Sequence, residues 1–285
     1  GRKFDLFHYW GPLARAKVGR WISAATLRIL ARPDAPDHLF VYLPSLDYDL
    51  QRHGPDSPQA AAALAETLAQ IEPLVAAAEA QGRDWLLTGD YAIEPVAPGD
   101  GAVFPNRILR AAGLFQTRET ARMLYPDFFT ARAFAIVDHQ LAHVHVPDPA
   151  DRPRVRDLLA AEPGVGEILD AAAQAERDLH FPGRSGDLLL VAAPGRWFAY
   201  PWWTEPRQAP DYAHQMDIHN KPGFDPCELF FGFPPPHVSQ KTEKVRGTHG
   251  RSGPGHEIAA AGLFPEARTF TELAAGLRGR FAQAR

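Results

Sequence analysis

Apolar and polar positions along the first third of the chain fall into blocks that predict a strand, a helix and a second strand. Residues 38–43 form an apolar run of strand length. Residues 57–82 carry a long helical pattern, with Ser57 at the N-cap position and Gly82 just past the end. A second short apolar run follows at 84–89. This order predicts a right-handed parallel crossover unit, and therefore an α/β sheet flanked by helices.

The rest of the chain is less regular. Helices are predicted near 106–115 and from 151 to 164, on either side of two strand-like runs within 132–146. Residues 204–256 are rich in Pro, Gly and His and show little periodicity, which predicts a long irregular segment. An amphipathic helical pattern closes the sequence.

These patterns predict three parts. Residues 1–130 are expected to form part of an α/β core, and residues 131–203 a small α+β cap or insertion. Residues 204–285 are expected to return to the core as an irregular segment that ends in a helix.

Composition and charge narrow the classes of function. A formal net charge of −4, with basic residues dispersed along the chain, gives no basic surface for a nucleic acid polymer. The single cysteine, Cys227, excludes an internal disulfide and a multi-cysteine zinc site, which favours the cytoplasm. No run is judged long and apolar enough to cross a bilayer, so no membrane segment is predicted.

Acidic side chains follow both predicted strands. Asp47 and Asp49 come after the first strand, and Asp90 comes after the second. Ligands of open α/β sheets bind beyond the carboxyl ends of the strands, where such polar groups need not be buried. His249 lies far along the chain between glycines, and carboxylates with imidazole are ligands that zinc or a similar divalent ion takes. We therefore expect these residues to converge on a metal.

Four segments in this order resemble the alkaline-phosphatase superfamily, in its nucleotide pyrophosphatase/phosphodiesterase branch. They are "YLPSLDYDLQRHGPD", "LLTGDYAIEPV", "DIHNKPGFDP" and "VRGTHG". The resemblance implies an alkaline-phosphatase-like fold with a mostly parallel sheet and two divalent metal ions, usually zinc. It also implies a substrate that is a small phosphate ester or nucleotide, attacked by a Thr or Ser hydroxyl. The metals would neutralise charge on the transferring group.

The metal motif Asp-x-x-x-His of that family matches the first segment in two registers. The spacing matches Asp49 and His53, whereas the Gly-Pro that follows matches Asp47, with Gln51 in place of histidine. The sequence does not choose between them.

The other implied ligands match unevenly. Asp90 matches the family's second acidic ligand, but Tyr91 replaces the histidine that should follow it. A phenol is a poor zinc ligand near neutral pH because its pKa is about 10. His249 matches the family's late histidine without such a departure.

Asp217, His219 and Lys221 form a further candidate set in the third segment. With a period of two they would share one face and could supply a ligand, an orienting carboxylate and a cation for phosphate. An equally acceptable alternative is a structural hydrogen-bond set.

His139, His143 and His145 also recur within one strand-like region. They are spaced like a metal clip, but no acidic partner recurs with them, so a structural role is favoured.

The attacking hydroxyl is expected to precede Gly1, because the resemblance implies that the nucleophile and the first metal-binding Asp come before all of these segments. Ser23 and Thr26 lie on a helical pattern instead. Two hypotheses follow: a metal-dependent hydrolase of phosphodiester or nucleotide pyrophosphate bonds, or a non-catalytic member that binds a phosphorylated metabolite.

Overall fold

Helices and short strands alternate through the computed structural model, which describes residues 3–99, 101–217 and 219–283. The helices are α1 (Lys17–Leu30), α2 (Ser45–His53), α3 (Pro58–Ala80), α4 (Pro105–Ala111), α5 (Arg152–Ala160), α6 (Ala171–Glu176) and α7 (Phe270–Gln283). The strands are β1 (Leu86–Thr88), β2 (Ile93–Pro95), β3 (Ala102–Val103), β4 (Thr117–Thr120), β5 (Met123–Pro126), β6 (Phe134–Asp138), β7 (Leu141–His145), β8 (Val165–Asp170), β9 (Leu188–Ala192), β10 (Trp197–Phe198), β11 (Gly247–His249) and β12 (Ala260–Gly262). The mixed α/β class is thus confirmed.

The long helix α3 begins and ends where its capping residues predict. The hydroxyl of Ser57 accepts a hydrogen bond from the backbone N–H of Ala60 at 3.1 Å. Gly82, just past the end, takes a φ of 64°, which a side chain would disfavour. The helix packs on α1, where the hydroxyl of Ser23 donates to the backbone oxygen of Gln70 at 2.8 Å.

Helix α3 differs from the expectation that no run is long and apolar enough to cross a bilayer. Over its 23 residues, alanine and leucine raise the mean hydropathy of an 18-residue window to 1.2, so α3 is long and apolar enough by length and composition. Only 22% of that window is buried. Helices of soluble proteins also meet this criterion, so it assigns no membrane role by itself.

The first predicted strand does not form. Residues 38–43 have no regular secondary structure, none of the described strands pairs with them, and the side chains of Phe40 and Tyr42 are 84% and 54% exposed. Apolar runs of this length form strands only where a neighbour completes the hydrogen-bond ladder. The residues that follow fold into α2, so Asp47 and Asp49 lie on a helix rather than in a strand-end loop.

Strand pairing also differs from the predicted parallel crossover. Strand β1 forms as expected but pairs antiparallel with β12. Among the named strands of the described residues, only β3 and β10 pair in parallel. The order strand, helix, strand therefore did not determine the ladder here, because the first of the two strands has no partner.

The largest sheet lies within residues 131–203 and has the order β6-β7-β9-β8. The hairpin β6–β7 was predicted, and all its neighbours pair antiparallel. Its buried face packs against α4 and α5, with Leu109, Leu159 and Trp202 in the same core. Residues 204–256 are irregular as predicted, apart from short 3-10 turns and β11. The three-part division remains a prediction.

Two backbone contacts bring distant segments to β11. Strand β11 pairs antiparallel with β2, which sets His249 opposite Ile93. The N–H of Gln140, in the β6–β7 turn, donates to the carbonyl of His249 at 2.8 Å. Helix α2 also approaches closely, because a Cβ on Gly247 would lie 2.2 Å from the Leu50 oxygen.

Candidate active site

Side chains from three of the segments singled out in the sequence meet beside β11. The ring of Tyr91 stacks on the imidazole of His249, with centroids 3.6 Å apart and planes 11° apart. The Tyr91 hydroxyl donates to Oδ1 of Asp47 at 3.1 Å. The pairing of β11 with β2 explains this meeting, because Tyr91 lies two residues before Ile93, the partner of His249.

The carboxylate of Asp47 accepts hydrogen bonds from Gln51 as well as from Tyr91. The side-chain amide of Gln51, one turn later on α2, lies 2.8 Å from Oδ1 of Asp47 and 2.7 Å from Oδ2. Burial is the main cause that raises the pKa of Asp47 to about 6; the bonds from Gln51 and Tyr91 oppose this rise, and the charges of Asp90 and Asp138 add to it. Asp47 therefore titrates close to neutrality.

A second histidine reaches the same place from the β6–β7 turn. His139 is fully buried, and its ring centroid lies 3.9 Å from that of His249. Its Nδ1 lies 3.4 Å from the hydroxyl of Thr248, and the ring of Phe224 packs on it at 5.0 Å. Asp138, the preceding residue, is exposed at the end of β6.

Burial keeps both imidazoles neutral. It lowers the pKa of His249 to about 4 and that of His139 well below the usual value, with the charge of His249 as a smaller cause for His139. Burial, with the charges of Asp47 and Asp90, also raises the pKa of the Tyr91 phenol. The site thus offers neutral imidazoles and a protonated phenol at neutral pH.

The two registers of the Asp-x-x-x-His match lie on different faces of α2. Asp47 and Gln51 point toward Tyr91 and His249, and Gln51 is 1% exposed. Asp49 and His53 pair with each other at 3.9 Å, with side chains 35% and 40% exposed. Positions two apart on a helix differ by about 200°, so one register excludes the other from the cluster.

Asp90 stands at the edge of the cluster. Its side chain is exposed, and its Oδ1 accepts from the backbone N–H of Tyr91 at 3.2 Å. Its charge acts on Asp47.

The two-metal ligand set implied by the resemblance does not assemble as a metal-binding group. Within the described residues, only Asp138, His139 and His249 form a group of three His, Cys, Asp or Glu ligands with donor atoms within 4.8 Å of one another. Both oxygens of Asp47 already accept hydrogen bonds from protein donors. Of the carried-over residues, Asp47, Tyr91 and His249 lie together, and the two-metal ligand set implied by the resemblance stays a prediction.

The candidate residues of the third segment, Asp217, His219 and Lys221, do not lie on one strand face. The carboxylate of Asp217 accepts from the backbone N–H groups of His219 and Asn220 at 2.9 and 3.1 Å, which makes a turn rather than a strand. Ile218 lies outside the described residues. The ammonium of Lys221 is fully buried, 3.2 Å from Asp225 and 2.5 Å from Glu228. These contacts fit the structural hydrogen-bond alternative.

Sequence reasoning did not find Asp138 and set His139 aside. The rule that drew attention to Asp47 applies equally to "AFAIVDHQ", because β6 also ends in an acid. His139 lies in the two-residue turn with a φ of 49°, so it does not share a strand face with His143 and His145. The N–H of Gly186 donates to Nδ1 of His143 at 3.0 Å, and His145 stacks on Phe134.

The two hydroxyls weighed on α1 serve the helix packing. Ser23 is buried and donates to α3, and Thr26 donates to the Ile22 carbonyl at 2.9 Å.

A model of one protein family matches most of the chain. It is described as type I phosphodiesterase / nucleotide pyrophosphatase, and it matches residues 3–225. The matched range includes Asp47, Tyr91 and His139, and it ends before β11. No curated protein gives a significant match to the chain.

Solved structures give more distant matches. Phosphonoacetate hydrolase from Sinorhizobium meliloti 1021, in complex with phosphonoformate, matches 91% of this chain and 54% of its own, at 16% identity and a TM-score of 0.51. The same enzyme in complex with phosphonoacetate matches at a TM-score of 0.50, with the same identity and coverage. At this identity the likeness shows the fold, which is that of the alkaline-phosphatase superfamily.

A third match is an inactive variant of murine ectonucleotide pyrophosphatase/phosphodiesterase 5 in complex with AMP, at 17% identity and a TM-score of 0.44. It covers 62% of this chain and 43% of the murine chain. The 285 residues thus span about half the length of the solved chains that they match.

Proposed function

Because this chain belongs to the type I phosphodiesterase/nucleotide pyrophosphatase family, we propose that it acts in the hydrolysis of a phosphodiester or nucleotide pyrophosphate bond. The observation that carries the proposal is the meeting of Asp47, Tyr91 and His249 from three separate segments. A divalent ion at the site would neutralise charge on the transferring phosphoryl group.

The chain's own residues suit a site for such a reaction. Asp47 has a pKa of about 6, near the value at which a carboxyl group can exchange protons at neutral pH. The neutral His249 keeps a lone pair available. The Tyr91 phenol stays protonated and donates to Asp47, which orients the carboxylate. We propose a small phosphate ester or nucleotide as the substrate.

A second candidate is a non-catalytic member that binds a phosphorylated metabolite. It is supported by Gln51 and Tyr91, which stand where the family motif has histidines, and by the hydrogen bonds that occupy Asp47. Such a protein would keep the fold and the cluster of Asp47, Tyr91 and His249 but would not catalyse hydrolysis.

Turnover measurements separate the two candidates. The natural polypeptide that contains these residues is assayed with bis(p-nitrophenyl) phosphate before and after EDTA treatment. Hydrolysis that EDTA abolishes and Zn²⁺ or Mn²⁺ restores supports the hydrolase, and His249→Ala should then lower kcat/KM at least tenfold. Calorimetric binding of AMP without turnover under any metal supports the second candidate.

A further inference from the structure

The β6–β7 turn places a buried histidine where a structural role is not evident. His139 is fully buried at the tip of the hairpin, and its Nε2 has no hydrogen-bond partner among the described residues. Leaving a buried polar atom unpaired costs about 1 to 3 kcal/mol. Buried groups of this kind call for an explanation, such as an ion.

Two other ligands lie beside this imidazole. Asp138 precedes it, and His249 reaches it from β11, with ring centroids 3.9 Å apart. One donor atom from each of the three residues lies within 4.8 Å of the others. The contacts that build this arrangement are independent of Asp47, since the Gln140 N–H fixes the turn on the carbonyl of His249 at 2.8 Å.

We propose that Asp138, His139 and His249 bind a single divalent transition-metal ion, at a site centred on the β6–β7 turn rather than on the Asp-x-x-x-His motif of α2.

The chemistry of the donors sets the class of ion. Two imidazoles and one carboxylate suit Zn²⁺, Mn²⁺, Fe²⁺ or Co²⁺, and leave coordination positions open for water or substrate. Ca²⁺ and Mg²⁺ are disfavoured because they prefer all-oxygen ligands.

The donor atoms of Asp138, His139 and His249 must move slightly closer together to bind one ion. Zinc bonds of about 2.0 to 2.1 Å place tetrahedral ligand atoms about 3.3 Å apart. The buried ring of His139 is fixed by Phe224 and Thr248, whereas the exposed carboxylate of Asp138 can turn toward the ion. Asp138 is thus the ligand that closes the site.

The proposal goes beyond the hydrolase function and does not depend on turnover. A metal held here would sit beside Tyr91 and Asp47, since Tyr91 stacks on His249 and donates to Asp47. It would remain bound in a protein that hydrolyses nothing, so its test uses binding alone.

The experiment is a titration of metal-free protein with Co²⁺, followed by its visible absorption bands and by calorimetry. We expect one ion per chain, with bands typical of a four- or five-coordinate site, and displacement by Zn²⁺. Asp138→Asn should weaken binding at least tenfold while leaving the folded state intact, because this side chain is exposed. His139→Gln should do the same where it folds.

Matched controls use ligand-type residues nearby. Asp157→Asn, on the exposed face of α5, and His145→Gln, on the same hairpin, should bind Co²⁺ as the parent does. The proposal is overturned if the parent chain binds no Co²⁺ at millimolar concentration, or if Asp138→Asn binds it unchanged. Loss of binding in Asp47→Asn together with unchanged binding in Asp138→Asn would assign the ion to α2 instead.

Discussion

Tyr91 lies flat against His249, with ring centroids 3.6 Å apart, and its hydroxyl donates to Asp47. Tyr91 stands where the resemblance implies a histidine, and its phenol contacts two other matched residues, a carboxylate and an imidazole.

Restoring the two missing imidazoles should restore a second metal. In the double variant Gln51→His/Tyr91→His, the phenol no longer caps Asp47, and the family's ligand types return to both positions. We expect the zinc content, measured by inductively coupled plasma mass spectrometry, to rise from about one ion per chain to about two. The control Tyr125→His changes a tyrosine whose hydroxyl bonds Asp211 instead. An unchanged zinc content would show that Asp47 cannot be recruited as a ligand.

Asp47 and His249 should oppose each other in the pH dependence of stability. Asp47 has a folded pKa of about 6, above its ordinary value of 3.8, so its contribution is present at low pH and is lost as the pH rises through that window. His249 has a folded pKa of about 4, below 6.5, so its contribution is present above pH 6.5 and is lost as the pH falls.

In Asp47→Asn, the effect of His249 on the pH dependence of stability should therefore no longer be offset by that of Asp47. Without the cost of ionising this carboxyl, whose pKa rises from 3.8 to about 6 on folding, we expect the free energy of unfolding at pH 7 to increase by about 3 kcal/mol. Between pH 4 and 6, the free energy of unfolding of the variant should rise more steeply with pH than that of the parent. Urea denaturation in EDTA at four pH values measures both effects, and Asp49→Asn is the exposed control. A parallel shift at all pH values would contradict the assignment to Asp47.

Lys221 should prove structural rather than a phosphate ligand. Its ammonium is buried between Asp225 and Glu228, so Lys221→Met leaves two buried carboxylates without their cation. We expect a loss of about 3 to 5 kcal/mol in the free energy of unfolding, measured in urea. Lys241→Met, at an exposed position, should lose almost nothing. A stable Lys221→Met protein with weakened AMP binding would reverse the interpretation.

Gly223 should control the position of the β6–β7 turn, where the metal site is proposed. It bridges to Val137 at the end of β6, with a φ of 121°, and a Cβ there would lie 1.9 Å from the Val137 oxygen. Gly223→Ala should therefore displace β6 and weaken both folding and Co²⁺ binding.

Gly183 is the control for this prediction. Its φ is 76°, but nothing lies within 4 Å of an added Cβ, so Gly183→Ala should cost about 1 kcal/mol and leave Co²⁺ binding unchanged. Thermal melts and the Co²⁺ titration compare the two variants. Equal behaviour would show that backbone conformation, rather than the contact with β6, dominates at position 223.

Local signals in the sequence were sufficient for several elements. Ser57 and Gly82 marked the ends of α3 correctly, and the β6–β7 hairpin followed from its apolar runs. The run at 38–43 failed because a strand exists only with a partner, and its ladder depends on other segments. The same reason explains why β1 paired with β12, which lies more than 170 residues later.

Motif order and spacing along the chain were sufficient to identify the family and to point to Asp47, Tyr91 and His249. The choice between Asp47 with Gln51 and Asp49 with His53 required the folded protein, since both pairs are one helical turn apart and packing sets which face of α2 is buried. The tertiary structure likewise brought His139 to His249, across 110 residues, through the contact of a hairpin turn with β11. Helix periodicity and capping act between near neighbours, whereas a binding site is made by ladders and packing between distant segments.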